Sequence, residues 1–553
     1  MKMSTTISNS DFKDFINNKY YYVDKTLLIE EIFSKGSEII LLPRPRRFGK
    51  TLNLSMLKYF FDIEEDNRDL FKGLKIEKSS IFQNHLNKYP VIFLTLKDIK
   101  GKNWNNIYGL IKINIADLYN EHKYLLNSSK LEEYEKNLIN KIIKREAEET
   151  DYQYSLHKLS EYIYRYYDKK VVILIDEYDT IMNDTYDKEI YDNILNFMRV
   201  FIGSTFKGNR YLFKGVITGI LRIAKESIFS GANNILIRTI LDNDFSDKFG
   251  FTEFEVSNML KYYDLEDNMD NIRNWYNGYT FGNSTIYNPY SIASYVESRE
   301  LKGHWLGTAN DSLIRNLVNK SESIIKDKID NLIKGEAIEE LIEENIVFSE
   351  LNKPKYLWSL LLFSGYLKAT VNYNGKYLLS IPNKEIKIMY NKIREEYFTD
   401  IIPELAISMD KISLAILNDD IENFSKEIKN LLMSKLSSYD LGKNKENVYH
   451  VIILLSLLRL EYNNNYEVRS NGESGKGRYD ISIIPKDRNK TGYIIEIKVA
   501  KGEKNLKLKA EEAITQIEEM KYTIELVNKG IKNIRLLGIA FEGKELYLVD
   551  KKR

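Results

Sequence analysis

Two groups of residues in this chain have types and spacing suited to phosphate chemistry, one near residue 50 and one near residue 490. The first is Arg44-Pro-Arg-Arg-Phe-Gly-Lys50-Thr51, preceded by the run Glu38–Leu42 and followed by Leu52, Leu54, Met56, Leu57 and Phe60 at helical spacing. A loop between a buried strand and a helix start turns backbone N–H groups and the positive end of the helix dipole toward an anion. Gly49, Lys50 and Thr51 form the second half of the phosphate-loop pattern G-x-x-x-x-G-K-[ST]. Lys50 would reach the β- and γ-phosphates of ATP, and Thr51 would ligate Mg²⁺. Arg44 stands where that pattern has its first glycine. Pro43 and Pro45 can fix the loop without it, and Arg44, Arg46 and Arg47 would add positive charge beside the phosphates.

A Gly-Lys-Thr at one strand–helix junction is weak evidence alone, and Val171-Val-Ile-Leu-Ile-Asp176-Glu177 strengthens it. An apolar strand that ends in two carboxylates is the form of a Walker B element. Asp176 would hold the Mg²⁺, and Glu177 would orient or deprotonate the attacking water. Asp179 reads either as an accessory or as a helix cap. The run Phe213–Thr218 ends in Thr218-Gly219-Ile-Leu-Arg222, where Thr218 stands at a strand tip suited to sensing the γ-phosphate. Arg222 reads equally as a nucleotide contact or a surface residue.

The second group is Gly477-Arg478-Tyr479-Asp480 and, on a following strand, Ile495-Glu496-Ile497-Lys498. An acidic residue followed by E-x-K on an adjoining strand is the metal-site pattern of PD-(D/E)XK nucleases. The period of two puts Glu496 and Lys498 on one face of the strand, where Asp480 can complete the site. Asp480 and Glu496 would hold Mg²⁺, with Mn²⁺ an alternative, and Lys498 would position or deprotonate water. Gln516, on the next helix, is suited to a water or phosphate contact. Glu446 reads as an extra ligand or a helix cap. E-x-K also decorates solvated sheet faces, so the pattern depends on its neighbours.

The elements that would position these residues follow from periodicity. Up to about residue 240, the short apolar runs Glu38–Leu42, Val91–Leu96, Val171–Ile175 and Phe213–Thr218 alternate with helical stretches such as Trp104–Glu121 and Tyr152–Tyr167. Fully apolar runs of this length predict parallel strands buried on both faces, with crossover helices between them. From about 250 to 440 the chain reads as mainly helical. There Leu357–Tyr366 and Asn383–Tyr397 flank a hairpin, Lys368–Tyr373 and Lys376–Ile381, whose turn is Asn374-Gly375. From 441 the order is a helix (Glu446–Tyr462), strands at Tyr466–Ser470, Arg478–Ile484 and Gly492–Val499, a long helix (Glu503–Asn528) and a hairpin (Ile534–Leu548). This last unit holds 22 Lys/Arg against 16 Asp/Glu, a mild basic excess of six.

At 553 residues the chain exceeds one compact domain, and 43% hydrophobic content with 12% aromatics suffices for buried cores. With 81 Lys/Arg against 80 Asp/Glu, overall charge pulls toward neither nucleic acid nor membrane. The absence of cysteine excludes disulfides, zinc–thiolate sites and thiol nucleophiles. The N-terminus lacks a signal-peptide core, and runs such as Val451–Leu460 and Tyr356–Leu367 fall short of the ~20 residues of a spanning helix. The expectation is a cytoplasmic protein with no membrane partner.

These residues together resemble a known family. The stretches that carry the resemblance are Tyr22-Val-Asp24-Lys-Thr26, Arg44 to Thr51, Ile175-Asp-Glu-Tyr-Asp179, Thr218-Gly219, Ser230-Gly-Ala-Asn-Asn234, Trp275-Tyr-Asn-Gly-Tyr279, Tyr287-Asn-Pro289, Tyr449-His450, Glu473 to Asp480 and Glu496-Ile-Lys498. They run nearly end to end. The chain resembles bacterial proteins that join an N-terminal AAA-ATPase-like domain to a C-terminal PD-(D/E)XK nuclease domain. That resemblance makes the missing first glycine normal, and it implies an ATP-dependent or ATP-gated nuclease acting on nucleic acid, with DNA favoured by analogy. It draws notice to Asn233, Asn234 and Trp275–Tyr279 without assigning them roles. A Trp-Tyr-Asn-Gly-Tyr segment is either a base-stacking platform or, as we favour, a tight turn packed by aromatics.

The expected fold is α/β and multidomain. Residues 1–250 would form a P-loop NTPase parallel sheet of AAA/STAND-like type, and 251–440 a helical middle. Within the latter, 355–397 is either a winged-helix-like module or a helical linker with one hairpin. Residues 441–553 would form the PD-(D/E)XK α/β nuclease fold. A rival reading is an ATP-dependent switch that binds nucleic acid or a partner without cutting. A third is a signalling ATPase that works as a homo-oligomer.

Overall fold

The computed structural model describes residues 2–183, 185, 189–223, 235–305, 323–346, 353–373, 375–401, 405–435, 445–462, 466–500 and 505–553. The chain forms two compact units, one of residues 1–310 with 339–386 and one of residues 311–338 with 387–553. The region 251–440, expected as one segment, is thus shared between them. Asn233, Asn234 and Asn374 lie outside the described residues.

The first unit is built on five parallel strands, β1 (Ile39–Pro43), β2 (Val91–Thr95), β3 (Val171–Asp176), β4 (Leu212–Gly219) and β5 (Ile235–Ile237), in the order β2-β3-β4-β1-β5. β1 and β3 are buried at every position, which is why both are apolar runs, broken only by Asp176 at the tip of β3. β2, at the sheet edge, alternates instead. The helices α1 (Lys50–Phe61), α2 (Trp104–Glu121), α3 (Ser155–Tyr167) and α4 (Tyr191–Phe206) lie between strands. The order sets the tips of β1, β4 and β3 side by side, with β4 in the middle. Residues that are far apart in sequence therefore meet at one end of the sheet, where open α/β sheets bind ligands.

Beyond the sheet, this unit holds a small three-stranded sheet (Phe251–Thr252, Tyr279–Phe281 and Ser284–Tyr287) that periodicity did not reveal, because its strands are only two to four residues long. The helix Pro354–Phe363, the hairpin Lys368–Tyr373 with Lys376–Ser380, and the helix Lys384–Ile401 occur in the order expected, with Gly375 at φ 78° in the turn. That last helix runs from the first unit into the second at residue 387.

The second unit carries helix α5 (Ser323–Lys334), helix α6 (Lys445–Tyr462) and a five-stranded sheet of β6 (Tyr466–Ser470), β7 (Ile481–Pro485), β8 (Thr491–Val499), β9 (Asn533–Glu542) and β10 (Glu545–Lys552), in that order. All neighbours are antiparallel except β8 and β9, which helix α7 (Leu506–Glu519) joins as a parallel crossover. α7 crosses β9 so closely that a Cβ at Gly538 would stand 2.2 Å from the Ala510 carbonyl. The long helix expected over 503–528 is instead α7 and a short helix, Ile524–Asn528. The break leaves the Met520 carbonyl open to accept the Lys476 N–H at 2.8 Å, and Lys521 turns to φ 56°. The strand expected over 478–484 begins only at Ile481, because Glu473–Ser474 and Gly477–Arg478 pair in a small hairpin of their own.

Candidate nucleotide and nuclease sites

At the first site Gly49 adopts φ 82° and φ at Arg47 is 69°, so the loop turns sharply into α1. Lys50 is buried, and its Nζ donates to the carbonyls of Arg44 (3.1 Å) and Pro45 (3.0 Å). Burial pushes its ammonium below the ordinary value, while Glu177 and Asp176 oppose that shift. Thr51 donates its hydroxyl to Asp176 Oδ2 at 2.7 Å, and Thr218 donates to Asp176 Oδ1 at 2.6 Å. One carboxylate at the tip of β3 thereby gathers the phosphate loop and the tip of β4. Burial pushes Asp176 up, and the two hydroxyls pull it back. Glu177 follows at φ 53°, half-buried, and accepts the Thr180 hydroxyl at 3.1 Å.

Three arginines expected beside the phosphates separate. The Arg44 side chain is fully buried and turned into the protein, which corrects the expectation that its charge lines the pocket. Its guanidinium donates to the carbonyls of Pro43 (2.8 Å), Arg238 (2.7 Å) and Phe245 (3.3 Å), and it lies 5.1 Å from the Phe249 ring centroid. Burial pushes it down to about 10. At the position of the missing glycine, then, a buried cation collects carbonyls and braces the loop from beneath. Arg46 is half-buried, and Arg47 is exposed over the Tyr290 ring at 4.5 Å. Arg222 Nη1 pairs with Glu344 at 2.9 Å, so its charge is engaged away from Asp176.

Asp179 directly precedes the short helix Thr180–Asn183, and its charge reaches Lys50. Its buried carboxylate accepts the N–H groups of Ile220 (3.0 Å) and Leu221 (2.8 Å), holding the turn after β4. A Cβ at Gly219 would meet Asp179 Oδ1 at 2.5 Å, which explains the glycine after Thr218. Trp275–Tyr279 is the packed turn: Tyr276 and Tyr279 are buried, and Gly278 at φ 104° has no room for a Cβ against the Pro382 carbonyl, 2.2 Å away. Tyr279 packs edge-on against Phe48 of the phosphate loop, 5.0 Å between centroids.

At the second site, Asp480 sits just before β7 and Glu496 and Lys498 on β8. The Ile497 N–H donates to Asp480 Oδ2 at 2.7 Å. Glu496 is 3% exposed; its Oε1 accepts from Lys498 Nζ (3.1 Å) and from Gln516 Nε2 (2.5 Å), and its Oε2 is buried without a hydrogen-bond partner. All four residues expected here converge. Burial, then the Asp480 charge, pushes Glu496 up to about 7, and burial pushes Asp480 up as well. Asp480 is delivered by the hairpin Glu473–Arg478. Ser474 Oγ donates to the Tyr522 carbonyl at 2.8 Å, and Gly475, at φ 63°, lies so close to the Met520 carbonyl that a Cβ would be 2.1 Å away.

The carboxylate oxygens at both sites, joined at the first by the Thr51 and Thr218 hydroxyls, are hard donors that fit Mg²⁺ or Mn²⁺. Among the described residues no three His, Asp or Glu side chains gather around one point. A cation at either pair would thus complete its shell with water and phosphate oxygens, as Mg²⁺ ordinarily does.

Two residues near Asp480 had no role assigned to them from the sequence, although Tyr449-His450 carries part of the resemblance. His450 is buried on α6, with Nε2 3.2 Å from Ser470 Oγ, and burial pushes its imidazole down to about 3, leaving it neutral. Its spacing of four from Glu446 was the available signal. Glu446 itself is exposed near the start of α6, close enough for its charge to act on Asp480. The other is Lys334, on α5, for which 145 residues of intervening chain leave no local signal.

Residues 6–229 match the model of a family described as a predicted AAA-ATPase, and residues 444–551 match the PD-(D/E)XK nuclease superfamily. The chain joins these two domain families. It is also similar, at 24% identity over 551 residues, to an uncharacterized protein in the vnfD 5′ region of Azotobacter chroococcum mcd 1, covering 94% of this chain and 93% of the relative. The AAA-ATPase-like domain contains Lys50, Thr51, Asp176 and Thr218, and the nuclease-superfamily domain contains Asp480, Glu496, Lys498 and Gln516. Among the described residues no helix is long and apolar enough to cross a membrane.

Proposed function

We propose that this chain is a metal-dependent nuclease under nucleotide control, in which the C-terminal site hydrolyses a phosphodiester bond and ATP binding and hydrolysis at the N-terminal site govern it. The observation that carries the reading is the buried, partnerless Glu496 Oε2 beside Asp480 and Lys498. A carboxylate oxygen kept from water without a donor is costly, and a cation arriving with its substrate removes that cost. Asp480 and Glu496 would hold Mg²⁺ or Mn²⁺, which when bound supplies Lewis-acid activation of water and offsets charge on the phosphate. Gln516 holds Glu496 in one orientation. Lys498 positions the attacking water and steadies the charge that builds on the phosphate oxygens. The substrate is nucleic acid, and we favour DNA by analogy with the superfamily.

At the N-terminal site Lys50 would leave its two loop carbonyls for the β- and γ-phosphates, and Thr51 with Asp176 would hold Mg²⁺. Glu177 would orient the hydrolytic water. Thr218, tied to Asp176, would register the γ-phosphate at the tip of β4. Arg46 and Arg47 flank the phosphates, and Arg44 serves the loop as a brace.

Plasmid, single-stranded DNA and RNA incubated with the full chain in Mg²⁺ or Mn²⁺, with and without ATP, test both halves. We expect cleavage that Asp480→Ala abolishes and that Lys50→Ala uncouples from ATP. Binding without cleavage in either metal would instead favour a nucleotide-dependent binding switch. Cleavage by Lys50→Ala identical to the parent at every ATP concentration would sink the coupling.

A further inference from the structure

Residues 466–485 form one ribbon, of which β6 and β7 are the base. Past Ser470 and Ile481 the pairing goes on in the same register. The Asn471 N–H donates to the Asp480 carbonyl at 2.9 Å and the Tyr479 N–H to the Gly472 carbonyl at 3.2 Å. Glu473 and Ser474 then pair with Arg478 and Gly477 at the tip. The ribbon bends where Asn471, at φ 51°, faces Asp480. A carboxylate at a bend is placed only as well as the bend is held, because a change of angle carries the side chain with it.

Glu525, on the short helix Ile524–Asn528, holds this bend at three points. Its Oε2 accepts the Tyr479 hydroxyl at 2.8 Å, and its Oε1 accepts from Arg469 Nη1. Its N–H donates to Ser474 Oγ at 3.2 Å. Arg469 lies before the bend, Tyr479 at it and Ser474 beyond it. The Glu525 side chain is only 15% exposed, so water competes little for these bonds. Tyr479 immediately precedes Asp480 and is fully buried. Its ring crosses Gly472 so closely that a Cβ there would stand 2.1 Å from the phenol oxygen. A shift of Tyr479 therefore passes to Asp480 through one planar peptide unit. Tyr479, Tyr522 and Leu526 also share one apolar cluster, but apolar contact has no preferred direction, whereas hydrogen bonds do.

The same stretch of chain orients the second carboxylate. Gln516, near the end of α7, donates to Glu496 Oε1 at 2.5 Å and lies 3.4 Å from the Tyr522 hydroxyl. The Tyr522 carbonyl in turn accepts Ser474 Oγ at 2.8 Å. Residues 516–525, around the break between two helices, thus reach both members of the acidic pair.

We propose that Glu525 is a positioning residue of the C-terminal site, which holds Asp480 in place against Glu496 through Tyr479, so that metal affinity depends on it. This rests on the nuclease reading above. Groups that orient metal ligands without touching the metal typically set affinity by about 10–100-fold.

The test uses the full chain with Glu525→Ala, Tyr479→Phe, the double variant and Leu526→Ala. Leu526, on the same helix, is buried and has no polar side-chain atom, so it controls for lost stability. Mn²⁺ binding is measured by calorimetry, taking the component that Asp480→Ala removes, alongside Tm and cleavage in Mg²⁺. We expect Glu525→Ala to weaken Mn²⁺ binding by about 10–100-fold. Tyr479→Phe should weaken it in the same direction, and the double variant no further than Glu525→Ala, because both cut one link. Leu526→Ala should lower Tm and leave Mn²⁺ affinity unchanged. Unchanged affinity in Glu525→Ala, additive losses in the double variant, or an equal loss in Leu526→Ala would each overturn the proposal. If Glu525→Ala does not fold, Tyr479→Phe against Leu526→Ala decides it. A parent that binds Mn²⁺ at Asp480 but never cuts overturns the nuclease reading and leaves the titration to decide Glu525. A parent without that Mn²⁺ component overturns both.

Discussion

Glu496 carries the most consequential chemistry at the residue scale, because burial and the neighbouring Asp480 raise it to about 7 from an ordinary 4.5. The folded, metal-free domain therefore keeps a proton that the unfolded chain has released. Its stability should fall as pH rises from about 4.5 through about 7, the window in which the folded state binds more protons. Metal must displace that proton, so Mn²⁺ affinity should climb with pH up to about 7 and level off above it. Calorimetric titration in buffers of different ionisation enthalpy reads the proton directly, and a flat affinity across this window would refute the prediction. Lys498→Met should lower cleavage by about 10²–10⁴-fold, the usual range for a group that positions or moves a proton. Oligonucleotide binding should remain. Initial rates against binding in Ca²⁺ separate the two.

The phosphate loop is positioned at the element scale by residues that never touch a phosphate. Arg44 ties the carbonyls of Pro43, Arg238 and Phe245 together, and Phe48 packs on Tyr279. Arg44→Met should leave these buried carbonyls short of donors and destabilise the first unit by ~1–3 kcal/mol, with weakened ATP binding as a secondary effect. Arg47→Ala, exposed, should leave Tm unchanged. Thermal unfolding of both variants, with and without ATP, distinguishes a brace from a direct contact. Equal loss of ATP affinity in the two with no change in Tm would return Arg44 to the pocket. Gly219→Ala is the companion case at the tip of β4. Its Cβ would collide with Asp179 and Tyr178, and the forced shift should cost ~1–3 kcal/mol.

At the scale of the whole molecule, the two sites lie in separate compact units that chain segments enter and leave more than once. Ligand binding to the first unit should stabilise it by about 2.7 kcal/mol at 100 times Kd. Mg·ATP should therefore raise the Tm of one transition, Lys50→Ala should abolish that rise, and Asp480→Ala should leave it intact. Scanning calorimetry of the three proteins checks this. A shift lost in Asp480→Ala would mean that the C-terminal site, not the phosphate loop, binds the nucleotide.

Local order was legible in the sequence wherever one physical demand dominated. Strands buried on both faces can only be apolar runs, so β1, β3 and β4 could be located within a residue or two, and the alternation of β8 put Glu496 and Lys498 together. Gly-Lys-Thr and Asp-Glu were readable because loop and strand tip are short-range features. What the tertiary structure alone decided is where long-range contacts act. Burial turned Arg44 from a phosphate contact into a brace, and pairing with Glu344 drew Arg222 away from Asp176. The Glu473–Arg478 hairpin moved the start of β7, and α5 brought the Lys334 carbonyl to Asn471, which in turn holds the Asp480 carbonyl. Side-chain type states what a residue can do. Which partner it meets depends on chain closure over tens to hundreds of residues, and no local pattern encodes that.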